Sequence, residues 1–418
     1  MGVDCYCIFQ KEEGSVPVPP LDKTEEVSNN NIKNEEINQN ETYNRMISIN
    51  KNVLKTIPSN KNENENENND NSILNKDNNN LDNEKDKKEN KINLDFEKII
   101  NTFSKQITEE EFSSLINEKI KEAESNLSKF DESKKNEYLE KKDKDIIFKS
   151  PLFFEKENNY YFGSWNPKNM KKEGWGILID KDGNKYEGGW KNDVIDGYGR
   201  ILSKNGDYYE GDMKSGIIEG NGIFYLYEKK MLYKGEFRNN LFEGKGQQIF
   251  ENNGNKLIYE GMFKEGKREG NGKFIFEDEN IYEGNFINDK FNGEGCFKWK
   301  DGRQYKGNWE NNQINGEGVF TWDNNISYKG EYKDNRREGY GTYYFGENNY
   351  YEGKWLNNLP HGEGKYNING NLIEGLFRYG RIIKNKNGQK KLGNNVNVEF
   401  KNDNSNLSTS KKKKNSLK

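Results

Sequence analysis

Residues 282–295 read YEGNFINDKFNGEG, and residues 305–318 read YKGNWENNQINGEG. Both stretches place a tyrosine, a glycine and a large aromatic residue at positions i, i+2 and i+4, and both end in Gly-x-Gly. The two tyrosines lie 23 residues apart. A pattern that returns at a fixed interval of roughly 20–50 residues indicates an architecture of stacked repeats.

The same pattern occurs nine times along the chain, with 23 to 26 residues between successive tyrosines. The tyrosines are Tyr161, Tyr186, Tyr209, Tyr233, Tyr259, Tyr282, Tyr305, Tyr328 and Tyr351. The glycines two residues later are Gly163, Gly188, Gly211, Gly235, Gly261, Gly284, Gly307, Gly330 and Gly353. The large apolar residues four positions after each tyrosine are Trp165, Trp190, Met213, Phe237, Phe263, Phe286, Trp309, Tyr332 and Trp355. A partial tenth unit, IEGLF (373–377), has Ile373 in the tyrosine position.

The spacing predicts that each unit is a β-hairpin. Residues at i, i+2 and i+4 share one face of a strand, and the residues between them are polar. Gly-x-Gly followed by an alternating run, as in GEGVFTW (316–322), is predicted to be the second strand. Asp182-Gly183, Asn205-Gly206 and Asp301-Gly302 predict tight turns before the next unit.

The glycines have a predicted packing role. A side chain at these positions would collide with aromatic rings from neighbouring strands, so glycine leaves the space into which those rings fit. A single hairpin is marginally stable, and stacking shares stability between neighbours. The expected fold is an all-β repeat, an elongated twisted antiparallel sheet whose nine units span roughly 85–90 Å at about 4.8 Å per strand.

Four segments are predicted along the chain. Residues 1–94 form an Asn/Lys-rich arm that is too polar to fold, residues 95–149 an amphipathic helical segment, residues 150–385 the repeat domain, and residues 386–418 a disordered basic tail. In the helical segment, Phe96, Ile100, Phe112 and Ile120 are among the apolar residues that recur at helical spacing. Their apolar face is interpreted as packing on the repeat domain or on itself; the alternative is that it binds a partner helix.

A capping-box signature predicts where one of these helices begins. Thr108 is followed three residues later by Glu111, which predicts a helix that starts near residue 109.

The repeated pattern Y-x-G-x-[WF]…G-x-G closely resembles the MORN (membrane occupation and recognition nexus) repeat over residues 161–380. The local departures are Met213 in an aromatic position and the segments 225–232 and 251–257. The resemblance implies an elongated sheet that is used for binding. Proteins of this family act as scaffolds at membrane–cytoskeleton junctions, and several self-associate. In apicomplexan-type protists, whose coding bias the Asn/Lys-rich composition shares, they gather at the pellicle and at division structures.

No catalytic, cofactor or metal site is predicted. Hydrophobic residues make up 31% of the 418 residues and charged residues 33%, and the segments outside the repeats are too polar for a catalytic domain. The only histidine, His361, is predicted to be a solvated loop residue, and Cys296 a small buried strand residue. The stretch GMFKEGKR (261–268) departs from a phosphate-binding loop at Arg268.

The composition also limits the compartment and the partners. Three cysteines do not make a disulfide framework, which favours a reducing compartment. No secretory signal or transmembrane run of eighteen apolar residues is visible. A net charge of −4 gives no indication of nucleic-acid binding.

The first residues, MGVDCYC, contain candidate lipidation sites. Gly2 is placed for N-myristoylation, although Tyr6 stands where serine or threonine is usual, and Cys5 and Cys7 are candidates for palmitoylation. The alternative is an ordinary N-terminus without lipid. The basic stretch STSKKKKNSLK (408–418) either contacts anionic lipid or stays solvated.

The function predicted from these features is that of a non-enzymatic scaffold. It binds cytoskeletal or membrane-associated proteins, or itself, on the cytoplasmic face of the plasma membrane or of a cortical inner membrane. Because the ends of an open sheet invite pairing, a homodimer through the C-terminal units is expected. The alternatives are a module that binds phospholipid directly and a regulatory subunit of a separate enzyme.

Overall fold

The computed structural model describes residues 91, 96–98, 100–116, 120–121, 124–125, 132–140 and 146–385. These residues fall into two compact units, one that ends at Lys267 and one that begins at Arg268; we call them the N-terminal and C-terminal units. The predicted lipidation sites Gly2, Cys5 and Cys7 and the basic tail (386–418) lie outside the described residues.

The N-terminal unit begins with short helices. They are α1 (Glu109–Ser114) and α2 (Glu132–Glu140), and residues 96–98 and 100–103 are also helical. At the start of α1, the Thr108 side chain accepts a hydrogen bond from the Glu111 amide (3.0 Å), and the Glu111 carboxylate accepts one from the Thr108 amide (2.8 Å). The predicted capping box is therefore confirmed.

Eleven strands follow or flank these helices. They are β1 (Lys105–Gln106), β2 (Ile147–Phe154), β3 (Asn159–Asn166), β4 (Lys171–Ile179), β5 (Lys185–Lys191), β6 (Val194–Leu202), β7 (Tyr208–Lys214), β8 (Ile217–Leu226), β9 (Met231–Arg238), β10 (Leu241–Asn252) and β11 (Asn255–Lys264). Each strand pairs antiparallel with the next along the chain. Strand β2 precedes the first repeat and crosses the predicted domain boundary at residues 149/150.

The C-terminal unit continues the same pattern of consecutive antiparallel pairs. Its strands are β12 (Lys267–Ile275), β13 (Ile281–Ile287), β14 (Lys290–Lys298), β15 (Gln304–Glu310), β16 (Gln313–Asp323), β17 (Ile326–Lys333), β18 (Arg336–Phe345), β19 (Tyr350–Leu356), β20 (Leu359–Ile368), β21 (Asn371–Arg378) and β22 (Arg381–Asn385). The prediction of an all-β repeat built from stacked antiparallel hairpins is confirmed.

The turn inside each hairpin is a feature that was not among the predicted turns. Asn288 and Asp289, between β13 and β14, have φ values of 49° and 67°. Two successive residues with positive φ are typical of the type I′ turn, for which Asn and Asp are favoured residues. The predicted turn between units is also present, since Gly302 has a φ of 96°.

These turns connect each hairpin to the preceding one. The Asn312 amide donates to the Phe291 carbonyl (3.1 Å), and the Asn312 side-chain oxygen accepts from the Phe291 amide (2.7 Å). Asn335 makes the same two bonds to Ile314, at 3.0 and 2.7 Å. The turn asparagine therefore fixes the register between successive repeats.

The core lies on the face that carries the repeat tyrosines. The Tyr282 ring stacks on Phe291, with ring centroids 3.6 Å apart, and meets Phe286 and Trp309 edge-on at 5.3 and 5.5 Å. Trp309 belongs to the following repeat, so a unit contributes a ring to the core of the unit before it; the third unit has Met213 in this position. Such aromatic pairs stabilise a core beyond the area they bury.

Candidate functional site: the two faces of the repeat hairpins

On the core face, each repeat tyrosine lies over a pair of glycines. Gly307 on β15 is paired with Gly318 on β16, and the Tyr305 ring lies over both. The Tyr305 hydroxyl donates to the Asn308 carbonyl at 3.1 Å, which holds the ring in place. A Cβ at Gly307 would lie 2.5 Å from both the Gly318 Cα and the Tyr305 hydroxyl oxygen.

This geometry corrects part of the predicted packing. The expectation that glycines make room for rings from neighbouring strands holds for Gly318. It is wrong for Gly307, whose ring comes from Tyr305 on the same strand, because the tyrosine side chain folds back over its own backbone to reach the Asn308 carbonyl.

The first glycine of each Gly-x-Gly pair has a different role. Gly293 has a φ of 72° and lies where the register between β13 and β14 shifts. A positive φ of this size is costly for residues with a Cβ. Gly293 therefore allows the bulge, whereas Gly295, two residues later, lies under the Tyr282 ring.

The residues of the repeat pattern are structural. All nine repeat tyrosines are fully buried, and the apolar residues four positions later are at most 4% exposed. Burial raises the pKa of the tyrosine hydroxyls, as at Tyr282 and Tyr305. Because these side chains are enclosed by the hairpins, they build the fold and do not face a ligand.

The opposite face, which we call the outer face, carries the side chains between the core positions. In the C-terminal unit these alternate across the strands as Glu283, Cys296, Lys306 and Val319, each paired in register with the next. A groove of about 1000 Å³ runs along this face, with Glu283 and Tyr344 among its lining residues. The outer face is therefore where the repeats of the C-terminal unit present side chains to solvent.

A second stretch of the groove, of about 490 Å³, lies nearer the end of the described chain. Tyr340 lines both stretches, and Lys384 and Asn385 line the second. Tyr340 and Tyr344 are 50% and 42% exposed, so the outer face carries large aromatic groups in contact with solvent.

In the N-terminal unit the outer face from β3 to β7 is covered by the helical segment of the same chain, whereas Lys234, Glu260 and Met262 farther along this face are exposed. Phe112 of α1 meets Phe162 edge-on at 5.9 Å, and Tyr138 of α2 lies 5.8 Å from Trp175. Ile120 is buried against Leu202. The interpretation that this segment packs on the start of the repeat domain is therefore confirmed.

The Tyr138 ring fits on the outer face because residue 189 is a glycine. The Tyr138 hydroxyl accepts a hydrogen bond from the Tyr198 amide at 2.9 Å, and a Cβ at Gly189 would lie 2.6 Å from that hydroxyl. In the unit of Tyr340, the position of Gly189 is held by Glu331, whose carboxylate accepts from the Tyr340 amide at 2.8 Å. Tyr138 of α2 thus supplies the acceptor for the Tyr198 amide, whereas in the later unit Glu331 of the repeat itself accepts from the Tyr340 amide.

Replacing Tyr138 by alanine is expected to release α2 from the outer face. The variant loses the ring contact with Trp175 and the acceptor for the Tyr198 amide, so amide hydrogen exchange in residues 132–140 should increase by about tenfold or more. Tyr138→Phe, which keeps the ring, should give a smaller increase. Equal exchange in the wild type and in Tyr138→Ala would show that Tyr138 does not hold the helix.

Two predicted assignments are corrected. His361 lies in strand β20 and not in a loop; it is half-buried, and its ring packs edge-on to Tyr379 at 5.1 Å. Cys296 is half-buried on the outer face rather than buried, and its sulfur accepts a hydrogen bond from the Gln304 side chain at 3.0 Å. The burial of Cys296 was wrongly predicted because the alternation along the strand, not the polarity of the cysteine, decides which face it occupies.

The described residues contain neither a membrane-spanning helix nor a cluster of metal-ligand side chains. No helix among them is both long and apolar enough to cross a membrane. Within the same part of the chain, no group of three or more His, Cys, Asp or Glu side chains is placed to hold a metal ion.

Comparison with known families identifies the repeat. The family model described as "MORN repeat" matches eight segments of the chain, at residues 186–208, 209–227, 233–255, 259–281, 282–302, 305–326, 328–350 and 351–371. The predicted unit that begins at Tyr161 is not among the matched segments. Its hairpin nevertheless has the same geometry, since Gly163 pairs with Gly176 and the Tyr161 hydroxyl donates to the Ser164 carbonyl at 3.0 Å.

No curated protein matches the chain. Among solved structures, the TCP domain of SAS-4 (dCPAP) from Drosophila melanogaster, in complex with a proline-rich motif of Ana2 (dSTIL), is 15% identical over 35% of this chain and 77% of that chain. Its TM-score of 0.24 is too low to indicate a shared overall fold.

Proposed function

We propose that this chain, which carries eight MORN repeats, is a non-enzymatic scaffold that binds protein partners or itself at a membrane-apposed cytoskeletal structure. The repeats indicate a membrane-associated or protein-binding repeat protein. The observation that carries the proposal is the open groove of the outer face, where Tyr340, Tyr344 and the alternating charges are exposed to solvent. Exposed aromatic groups within a polar surface are typical of protein-binding sites.

The charge of the groove favours a protein partner over direct lipid binding. Seven glutamates and four lysines line its two stretches, so the groove carries an excess of negative charge. Anionic headgroups would be repelled by such a surface. We therefore propose that contact with the membrane is made by the first residues of the chain and not by this face.

Anchoring by acyl chains remains a proposal because Gly2, Cys5 and Cys7 lie outside the described residues. A single myristoyl chain gives only marginal membrane binding, whereas two lipids give stable anchoring. The proposal is that myristate on Gly2 brings the chain to the membrane and that palmitate on Cys5 or Cys7 retains it there.

Fractionation of cells tests the anchor and the scaffold together. Gly2→Ala is expected to move the full chain from the membrane pellet to the supernatant and to abolish palmitate labelling. Cys5→Ser with Cys7→Ser should keep myristate but weaken retention. Wild-type protein that stays in the pellet after detergent extraction indicates attachment to the cytoskeleton, as a scaffold requires.

Other outcomes would contradict parts of the proposal. If Gly2→Ala fractionates as the wild type does, acylation does not anchor the chain. If both variants stay in a pellet that detergent dissolves, the repeats themselves bind lipid. A separate enzyme that co-purifies in stoichiometric amount would indicate a regulatory subunit. Self-association through the C-terminal units remains proposed, and a strict monomer in light scattering would exclude it.

A further inference from the structure

A tyrosine–glutamate pair on the covered outer face of the N-terminal unit recurs on the open outer face of the C-terminal unit. In the N-terminal unit, the Tyr198 hydroxyl donates to the Glu210 carboxylate at 2.7 Å, and Arg200 forms an ion pair with the same carboxylate at 2.7 Å. The Lys134 ammonium group of α2 lies 5.8 Å from the centre of the Tyr198 ring. Arg200 of the repeat therefore pairs with the carboxylate, and Lys134 of α2 lies over the aromatic ring.

In the C-terminal unit, Tyr340 and Glu352 occupy the same positions of their repeat. The Tyr340 hydroxyl donates to the Glu352 carboxylate at 2.8 Å, a bond that raises the pKa of Tyr340. Thr342 stands where the other unit has Arg200; Lys365 is paired in register with Glu352 on the next strand, but no ion pair between Glu352 and a described cation is formed. This site therefore has the tyrosine and the carboxylate of its counterpart but lacks both cations.

The groove beside this site leads to the point where the described chain ends. Glu352, Glu363 and Glu374 line the stretch that also contains Lys384 and Asn385. Residues 386–418 continue from there and contain nine lysines and two acidic residues, with four consecutive lysines at 411–414. A strongly basic segment thus begins at the end of a groove that carries excess negative charge.

We propose that the outer groove of the C-terminal unit binds the chain's own basic segment, with a lysine of 411–414 seated over the Tyr340 ring and against the Glu352 carboxylate. The covered site shows the chemistry, because Lys134 occupies the corresponding place above Tyr198. In both places the partner is a segment joined to the repeats by the chain itself.

The length of the chain allows this contact. Twenty-five residues, 386–410, separate Asn385 from Lys411, and at about 3.3 Å per residue they can reach up to about 80 Å. From β22 back to β18 is four strand spacings, or roughly 19 Å. Because the segment is tethered, its effective concentration at the groove is in the millimolar range, which is sufficient for a weak contact between charges.

The contact is electrostatic and partly exposed, so salt screens it. The full chain is treated with a carbodiimide, which joins a lysine amine to a carboxylate only where the two touch, and the linked peptides are identified by mass spectrometry. The expected result is a set of intramolecular links from Lys411–Lys414 to Glu352 and Glu363 that weakens as salt is added.

Substitutions make the test specific to the site. Tyr340→Ala should lower the yield of links to Glu352 and Glu363 by at least about threefold, because the lysine loses the aromatic face. Glu352→Gln should likewise lower the remaining link to Glu363. Glu294→Gln is the matched control. Glu294 lines the groove but does not form a hydrogen-bonded pair with a tyrosine as Glu352 does, so this variant should leave both links unchanged.

Three results would overturn the proposal. The first is an absence of links from Lys411–Lys414, or links spread evenly over the acidic residues of the chain. The second is that links in a mixture of isotopically light and heavy chains join different molecules, which would make a second copy the occupant. The third is that these lysines are protected from amine-reactive labelling only when phosphatidylserine vesicles are added, which would assign them to a membrane.

Discussion

Replacing Gly307 by valine is expected to destabilise the repeat domain by about 1–3 kcal/mol or more. The added Cβ would lie 2.5 Å from the Gly318 Cα and 2.6 Å from the Glu317 carbonyl oxygen. These atoms belong to the paired strand and do not rotate away, so the ladder between β15 and β16 must open. Denaturant unfolding of the full chain, followed by tryptophan fluorescence, measures the loss.

Two further variants separate the backbone clash from the ring clash. At Gly318 the nearest atoms all belong to the Tyr305 ring, including two carbons at 2.5 Å, so Gly318→Ala should be partly relieved when Tyr305 is also replaced by a smaller residue. Gly370→Asn is the control, because nothing lies within 4 Å of its added Cβ and asparagine tolerates its φ of 81°. Unfolding curves for Gly307→Val that match those of the wild type would refute the packing account.

The hairpins were predictable from the sequence because their cause is local. Alternation of buried and exposed residues is written directly into each strand, as in Tyr282, Gly284 and Phe286. Because the same pattern recurs in every unit, the strand assignment of one unit supports that of the next. The same alternation also located the outer face, and the helical spacing of residues 95–149 indicated a segment that packs on the repeat domain, but not which residues make the contact.

The cover on the N-terminal unit was not predictable in detail because its cause is distant in sequence. Tyr138 fits above Gly189, and in a sequence with so many repeat glycines this one is easily overlooked. It is recognisable only by comparison between units, because Asn308 and Glu331 hold the corresponding position in later units. Trp175 and Tyr198 also lie between the two glycines of their Gly-x-Gly pairs, but this position does not by itself indicate a covered surface, since Tyr340 holds it on the open outer face and is 50% exposed.

Alkaline pH is expected to unfold the C-terminal unit in a narrow range above about pH 10. Burial raises the pKa of its core tyrosines above the ordinary value of 10.0. These are Tyr282, Tyr305, Tyr328, Tyr343, Tyr351 and Tyr366. In the unfolded chain the same hydroxyls ionise near pH 10, so above that pH the folded state binds more protons and the free energy of unfolding falls as pH rises. Each tyrosine removes about 1.4 kcal/mol per pH unit.

Tyr366 and Tyr305 provide a matched pair that tests this cause. The Tyr366 hydroxyl has no hydrogen-bond partner among the described residues, whereas the Tyr305 hydroxyl donates to the Asn308 carbonyl. Tyr366→Phe should therefore leave stability at neutral pH unchanged and raise the pH of unfolding, because one buried ionisable group is gone. Tyr305→Phe should lower the free energy of unfolding at neutral pH by about 1 kcal/mol, the usual net contribution of a hydrogen bond. This loss offsets the stability that the variant gains at alkaline pH. Circular dichroism and tyrosinate absorbance, recorded together, follow strand content and ionisation. If the tyrosines ionise gradually near pH 10 while strand content stays constant, they are open to solvent and are not enclosed in an aromatic core.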